Sequence, residues 1–299
     1  MVQTAFMPIN LISWLIAIRP HTLTMTAVPV LVGAALAWNQ TGQSHWLAAA
    51  VALIGGLLIQ AATNLYNDGA DYDRGNDGAD RLGPQRSVAA GIFTARQVKR
   101  MAMALFALSA VAGIYLIYVG GVPILVLGVL SILSGWGYSA GPRPIAYTPF
   151  GELFVITFFG LGAVGATCWL AGGHVENTTL LVGAFIGSFA AAVLLVNNFR
   201  DVECDTRAGR RTLSIVLGAT GSRILYALFM TLPFAALPVL IHMIAHSTVW
   251  ITYAALPAAL YQCWRLVFGP QGRALNSILK GTAQTQLAYG CLLSVGLVV

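Results

Sequence analysis

The chain is short of charge. Of its 299 residues, 9% are charged while 58% are hydrophobic, and the mean hydropathy is +0.77. A soluble globular protein carries roughly 25% charged residues. The chain therefore lacks the polar residues needed to cover a water-soluble body of this size. The composition excludes a soluble fold and predicts an integral membrane protein embedded in the lipid bilayer.

Cysteine is also scarce. The four cysteines lie far apart and form no Cys-x-x-Cys pair, so neither a disulfide framework nor a zinc site is indicated. The net charge of +6 is accompanied by no nucleic-acid-binding motif, so we expect no nucleic-acid partner. The N-terminus lacks the basic region and the small-residue cleavage site of a signal peptide, and we expect it to be retained.

Long apolar runs, by contrast, are abundant. A helix needs about 20 mostly apolar residues to cross a bilayer, and nine segments meet this condition. They cover 22–40, 46–68, 98–118, 122–140, 152–171, 179–199, 223–245, 248–267 and 280–298. We therefore expect an all-α polytopic membrane bundle of about nine transmembrane helices, forming a single domain over residues 1–299. Pro233 and Pro238 are expected to kink the seventh span.

The basic residues predict the orientation of this bundle. All 16 Lys and Arg residues fall before the first span or after the second, fourth, sixth and eighth spans. Because basic loops stay in the cytoplasm, the N-terminus is predicted to be cytoplasmic and the C-terminus to lie on the opposite side. An even number of spans would not keep all the basic residues on one side of the membrane, so their distribution favours nine spans.

Acidic residues number only ten, and eight of them form two patches on the predicted cytoplasmic face. The first patch contains Asp68, Asp71, Asp73, Asp77 and Asp80, and the second contains Asp201, Glu203 and Asp205. An ionisable group near a bilayer is costly and is usually retained for function. The two Asp-rich patches are therefore the first candidates for a functional site.

Helical spacing resolves the patches into two stripes of oxygen ligands. The first stripe comprises Asn64, Asn67, Asp68 and Asp71, and the second comprises Asn197, Asp201 and Asp205. Spacings of i, i+3, i+4, i+7 and of i, i+4, i+8 each put side chains on one helix face. Carboxylate and amide oxygens of this kind suit Mg²⁺. The sequence thus predicts a magnesium site between the two stripes.

Arginines follow both stripes. Arg81 and Arg86 lie after the first, and Arg207 and Arg210 after the second. Guanidinium groups match phosphate oxygens in bidentate geometry, so metal and arginine together favour a diphosphate ligand. Any single arginine could instead be a solvated loop charge or could pair with lipid headgroups. A secondary transporter is disfavoured, because transport sites lie near the bilayer midplane.

The combination of Asn67-Asp68-x-x-Asp71 with Asn197-x-x-x-Asp201-x-x-x-Asp205 resembles the UbiA superfamily of intramembrane prenyltransferases. The resemblance covers nearly the whole chain. Arg81-x-Gly-Pro-x-Arg86 and the run after Gly209 resemble the branch that acts on 1,4-dihydroxy-2-naphthoate in menaquinone synthesis. Two departures stand out: Gly75 replaces a frequent Asp, and Arg210 stands where a Lys is common.

This resemblance implies that a polyprenyl group is transferred from polyprenyl diphosphate to an aromatic acceptor in a prokaryotic inner membrane. The favoured acceptor is 1,4-dihydroxy-2-naphthoate, which would lose carbon dioxide and give demethylmenaquinone; 4-hydroxybenzoate and homogentisate are alternatives. The implied Mg²⁺ ligands are Asn67, Asp68, Asp71, Asn197, Asp201 and Asp205, and the four aspartates among them are also implied in catalysis. The implied diphosphate-binding residues are Arg81, Arg86, Arg143, Arg207 and Arg210.

Two further residues are catalytic candidates near the cytoplasmic helix ends. Aromatic faces can stabilise an allylic cation, and Tyr138 is preferred over Tyr66, Tyr72 and Tyr147, although all four could belong to the interfacial aromatic belt. Glu152 opens the fifth span and is a candidate to orient or deprotonate an acceptor hydroxyl. It could equally be an acid that interacts with the helix dipole.

Overall fold

The computed structural model describes residues 11–78, 81–244, 247–269 and 271–299, so Asp80 lies outside the described residues. Every regular element within these ranges is a helix, which confirms the all-α class. The helices of the first half are α1 (Leu11–Ala17), α2 (Thr24–Thr41), α3 (Trp46–Asp73), α4 (Ala95–Gly120) and α5 (Val122–Gly137). Those of the second half are α6 (Gly151–Val155), α7 (Ala163–Leu170), α8 (Asn177–Arg200), α9 (Val202–Arg207), α10 (Leu213–Ala235), α11 (Leu237–Ile244), α12 (Leu256–Phe268) and α13 (Leu275–Val298).

Within the described part of the chain, five helical segments are long and apolar enough to cross a membrane. They are α3, α4, the continuous segment Gly151–Leu170, α8, and the α10–α11 pair. These segments support an integral membrane protein, whereas the expected count of about nine spans is not confirmed. The other four expected spans are too short, too polar or not continuous as an α-helix. The α5 helix has only 16 residues, α2 ends in Asn39-Gln40-Thr41, α13 buries several polar side chains, and Ser247–Ala255 is a 3₁₀-helix that precedes α12.

Local sequence signals explain where several helices begin and end. A capping box starts α4: the Gln97 backbone N–H donates to Thr94 Oγ1 and the Thr94 N–H donates to Gln97 Oε1. The α3 helix continues past the predicted end at residue 68 as far as Asp73, and Gly75 follows with a φ of 71°. The expected kink in the seventh span is confirmed, because α10 ends and α11 begins around Ala236, between Pro233 and Pro238.

The α8 helix lies at the centre of the bundle and is mostly buried. It packs against α6, α10, α13 and a π-helical segment, Ile156–Gly162, that joins α6 to α7. Three glycines allow this close approach, since a Cβ atom on Gly160 would lie 2.7 Å from the Cα atom of Gly187 and also meet Gly183. A second, smaller core joins α3, α4 and the loop between them. The candidate site lies between these two cores.

Candidate functional site

A cavity of about 1160 Å³ is enclosed between α2, α3, α4 and α5 on one side and α6, α7 and α8 on the other. It has two chemically different ends. Its polar end is lined by Asn64, Asn67, Asp68, Arg81, Arg86, Asn197, Asn198, Asp201, Asp205 and Arg210. Its apolar end is lined by Leu116, Ile117, Ile124, Leu125, Ala166 and Leu170. Such a cavity suits an elongated ligand with a charged head and an apolar body.

The first acidic stripe lies on one continuous helix, as predicted, because α3 extends through Asp73. Asp71 is only 1% exposed and is held between two guanidinium groups. Its Oδ2 lies 2.6 Å from Arg86 Nη2, and its Oδ1 lies 2.6 Å from Arg210 Nη2. Asn67 donates to Ser139 Oγ at 2.9 Å. One arginine from each arginine-bearing loop thus meets the same carboxylate.

Asp68, a member of this first stripe, anchors a loop. Its Oδ2 accepts hydrogen bonds from the Ser87 backbone N–H at 3.1 Å and from Ser87 Oγ at 2.5 Å. Arg86 Nη1 donates to the Asn67 carbonyl at 2.8 Å, so the loop that carries Arg86 is attached to α3 at two adjacent points. The other oxygen of Asp68, Oδ1, is buried without a hydrogen-bond partner. One oxygen therefore holds the loop and one remains available for a ligand.

The second acidic stripe crosses a helix break that the spacing did not predict. The α8 helix ends at Arg200, and Asp201 has φ −98° and ψ 10° before α9 begins. The i, i+4 register survives the break, because the Asp201 N–H donates to the Asn197 carbonyl and the Asp205 N–H donates to the Asp201 carbonyl. Consequently all three side chains, Asn197, Asp201 and Asp205, still line the cavity.

Arginines also neutralise this second stripe. Arg200 makes a bidentate pair with Asp201, with Nε at 2.8 Å from Oδ1 and Nη2 at 2.5 Å from Oδ2. Arg210 Nη1 lies 3.1 Å from Asp205 Oδ1. Burial raises the pKa of the Asp205 carboxyl to about 6, while the Arg210 charge acts in the opposite direction. The polar end is therefore an ion-pair network of alternating carboxylates and guanidinium groups.

Three of the five arginines that were predicted to bind diphosphate belong to this ion-pair network. Arg81, Arg86 and Arg210 line the cavity, and Arg81 Nη1 lies 3.1 Å from Asp77 Oδ1. Arg143 and Arg207 are exposed and do not line the cavity. Arg207 lies close to Asp205 in sequence, but this did not bring its side chain into the cavity.

The two further catalytic candidates, Tyr138 and Glu152, differ in position. Tyr138 lines the cavity directly. Glu152 is buried behind it and accepts a hydrogen bond at Oε1 from Asn198 Nδ2 at 2.9 Å, and Asn198 lines the cavity. Glu152 Oε2 is buried without a partner. A ligand in the cavity would meet Glu152 through Asn198 or after a small side-chain movement.

The structure adds site residues that the sequence reasoning missed. Arg200 lies within the second acidic motif, but the spacing of that motif did not predict an ion pair between Arg200 and Asp201. Asn276 on α13 accepts from Arg200 Nη1 at 2.6 Å and donates to the Leu82 carbonyl at 3.0 Å, which joins the C-terminal helix to the loop after α3. No local sequence signal marks Asn276, because its partners are distant in the chain.

Arg19 is another cavity residue that the sequence reasoning missed. It lines the cavity and has a φ of 58°, a left-handed conformation that no other non-glycine residue adopts within the described part of the chain. Burial, together with the nearby charges of Arg86 and Arg81, lowers the pKa of Arg19 to about 9. A fifth guanidinium thus lines the cavity, beside Arg81, Arg86, Arg200 and Arg210.

Comparison with known proteins gives one family. Residues 26–281 match the UbiA prenyltransferase family. A Bacillus subtilis protein named 1,4-dihydroxy-2-naphthoate octaprenyltransferase is 31% identical, over 94% of this chain and 90% of its own length. A Mycobacterium tuberculosis protein of the same name is 33% identical, over 92% of this chain and 93% of its own length.

A solved structure shares the fold. The structure of a UbiA homolog from Archaeoglobus fulgidus bound to DMAPP and Mg²⁺ superposes with a TM-score of 0.60 at 18% sequence identity. The match covers 95% of this chain and 99% of that chain. The fold that the two acidic motifs implied is therefore confirmed.

Proposed function

Because the chain belongs to the UbiA prenyltransferase family, we propose that it transfers a polyprenyl group from polyprenyl diphosphate to 1,4-dihydroxy-2-naphthoate. The products are pyrophosphate, carbon dioxide and the hydroquinone form of demethylmenaquinone. The observation that carries the proposal is the two-ended cavity, whose charged end is lined by residues of both acidic stripes and whose other end is apolar. Asp71 does not line the cavity itself but pairs with Arg86 and Arg210, which do. The full-length relatives that bear this substrate in their names support the choice of acceptor.

The charged end is proposed to bind the diphosphate. Arg81, Arg86 and Arg210 would donate to its non-bridging oxygens, since guanidinium groups recognise phosphate bidentately. In the structure these arginines pair with Asp71, Asp77 and Asp205, so the ligand would take over hydrogen bonds that carboxylates now accept. Exposed Arg143 and Arg207 would attract the anion as it approaches from the cytoplasm.

The donor set at this end fits Mg²⁺, which prefers carboxylate and amide oxygens together with phosphate. Within the described ranges, no three or more His, Cys, Asp or Glu side chains already converge on one point, because the carboxylates face arginines. The proposed ligands are Asn67, Asp71, Asn197, Asp201 and Asp205, with Asp68 contributing its unpartnered oxygen. Bound Mg²⁺ would stabilise the negative charge on the departing pyrophosphate.

The apolar body of the cavity would then protect the reaction from water. The allylic C–O bond breaks and its electron pair leaves with pyrophosphate. The naphthoate ring carbon that bears the carboxylate forms the new C–C bond, and that carboxylate departs as carbon dioxide, which restores the aromatic ring. Tyr138 would present its ring to the allylic cation. Glu152 would orient or deprotonate an acceptor hydroxyl through its position behind Asn198.

The proposed setting is a prokaryotic inner membrane. Nine spans, with the N-terminus and the site on the cytoplasmic side and the C-terminus on the other, agree with the distribution of all 16 basic residues. In this arrangement one domain over residues 1–299 would receive the diphosphate head from the cytoplasm and hold the prenyl chain at membrane depth.

A panel of acceptors tests the proposal. Membranes containing the protein receive one labelled polyprenyl diphosphate with 1,4-dihydroxy-2-naphthoate, 4-hydroxybenzoate or homogentisate, with Mg²⁺ or with EDTA, and products are identified by mass. We expect only the naphthoate product, and only with Mg²⁺. Product formation from 4-hydroxybenzoate alone would overturn the acceptor but leave the reaction type intact. Full activity in EDTA would overturn the metal role.

A further inference from the structure

One tyrosine outside the cavity contacts both arginine-bearing loops. Tyr147 ends a 3₁₀ turn, Ile145–Tyr147, in the loop between α5 and α6. Its hydroxyl accepts from Asn76 Nδ2 at 2.6 Å, in the loop after α3. Its carbonyl accepts from the Arg211 backbone N–H at 3.0 Å, in the loop after α9. Three loops on the predicted cytoplasmic side therefore meet at this residue.

The ring of Tyr147 also faces a key guanidinium group. Arg210 Cζ lies 4.8 Å from the ring centroid, within the range of a cation–π contact. Arg210 contacts both acidic stripes, with Nη2 on Asp71 and Nη1 on Asp205. Its third nitrogen, Nε, is buried without a hydrogen-bond partner. The two carboxylates and the Tyr147 ring are thus the contacts that orient this guanidinium.

We propose that Tyr147 is a positioning residue for diphosphate binding. It acts by holding the guanidinium group of Arg210 between the two acidic stripes. This inference rests on the proposed function, because it assumes that Arg210 meets the diphosphate. A ligand that withdraws Asp71 or Asp205 from Arg210 leaves the ring contact unchanged. Tyr147 therefore keeps the guanidinium directed into the cavity while its carboxylate partners change.

The ring, rather than the hydroxyl, carries most of this role. The hydroxyl contact with Asn76 orients the ring, and Asn76 is itself attached to Asp71 through its backbone N–H and, at 3.4 Å, its side chain. A phenylalanine would keep the face that Arg210 contacts and would lose only the bond to Asn76. A leucine would remove the face as well.

The test compares Tyr147→Leu and Tyr147→Phe with Tyr72→Leu. Tyr72 is half-exposed on the end of α3 and does not line the cavity, so its variant controls for the loss of a cytoplasmic-side tyrosine. Purified proteins are titrated with inorganic pyrophosphate in MgCl₂, and the KM of each substrate is measured. For Tyr147→Leu we expect affinity for pyrophosphate to fall about tenfold and the KM of prenyl diphosphate to rise by the same factor. The KM of the acceptor should not change.

The variants separate positioning from general damage. Tyr147→Phe should bind pyrophosphate within about threefold of the parent, and Tyr72→Leu should be indistinguishable from it. Equal weakening in the Phe and Leu variants would overturn the ring contact, and an equal rise in both KM values would reveal a merely structural role. If Tyr147→Leu does not fold, Tyr147→Met takes its place with the same expectations.

The result also distinguishes this inference from the proposed function. If the parent protein does not bind pyrophosphate, the proposed diphosphate site is wrong. If the parent binds it and Tyr147→Leu binds it equally well, only the positioning role is overturned.

Discussion

The two ends of the cavity are built by different physical means. At the polar end, pairs of opposite charges fix each side chain: Asp71 lies between Arg86 and Arg210, and each oxygen has its own partner. At the apolar end, packing determines the shape. Ile124 and Leu170 close the space against Gly120, where a Cβ atom would lie 2.9 Å from Leu170 Cδ2. Single atoms should therefore matter at the polar end, whereas volume should matter at the apolar end.

Removal of a central carboxylate is the strongest test of this difference. We expect Asp71→Ala or Asp201→Ala to lower kcat by at least about 100-fold, because each substitution removes a proposed metal ligand and leaves buried arginines without their partner. The rate of prenylated naphthoate formation measures the loss. Asp73→Ala is the matched control, since Asp73 lies on the same helix but is exposed and pairs with Lys99. That variant should stay within about twofold of the parent. A fully active Asp71→Ala protein would contradict the proposed site.

Asp68 sharpens the comparison, because one of its oxygens anchors a loop and the other is free. Asp68→Asn keeps an oxygen that can accept from Ser87, whereas Asp68→Ala keeps none. We expect both variants to lose activity about 30-fold, because neither keeps the unpartnered oxygen that is proposed to bind Mg²⁺. Only Asp68→Ala should show faster hydrogen exchange in residues 81–94, because it alone loses the anchor to Ser87. If instead Asp68→Asn stays fully active, the second oxygen is not a metal ligand and anchoring of the loop is the main role of Asp68.

Much of the polar end was predictable from sequence because it depends on residue type and helical spacing. The stripes containing Asp71 and Asp205 needed only the i, i+4 rule and the scarcity of acids. What spacing cannot supply is the direction of each side chain. Asp68 follows Asn67 in the first motif yet turns to Ser87, and Arg207 lies close to Arg210 in sequence yet stays outside the cavity.

The long-range contacts and the helix irregularities around the cavity were less predictable, because they depend on tertiary structure rather than on local spacing. The contact of Asn276 with Arg200 joins residues far apart in the chain, and the break at Asp201 interrupts a sequence that reads as a uniform helix. The π-helical segment that lines the cavity packs closely on α8 at Gly160, a contact that only the tertiary structure reveals. Glycines in the fifth span indicated tight packing but not this geometry.

Glu152 lies outside the cavity, next to Asn198 of the polar end. Glu152→Gln keeps the oxygen that accepts from Asn198 but cannot take a proton, so we expect kcat/KM for the acceptor to fall about tenfold. The KM of prenyl diphosphate should be unchanged, since the diphosphate arginines are untouched. Steady-state kinetics with each substrate varied in turn measure this separation. Glu176→Gln is the control, because Glu176 is exposed at the start of α8 and distant in role from the cavity. Equal changes in both substrates would indicate a structural effect of Glu152 instead.

The smallest expected effect lies at the apolar end, where a change of volume should alter the product rather than the rate. Ile124→Ala removes about three carbon groups, fewer than one isoprene unit contains, so alone it should not lengthen the accepted chain. Ile124→Ala combined with Leu170→Ala removes about six, and we expect the preferred prenyl diphosphate to become one isoprene unit longer. The total rate should change less than about threefold. Competition between prenyl diphosphates of different length, resolved by mass, measures the shift.

Val126→Ala, on the exposed side of α5, should leave the length distribution unchanged. An unchanged distribution in the double variant would mean that the chain does not reach Ile124, and that the polar end alone selects the substrate.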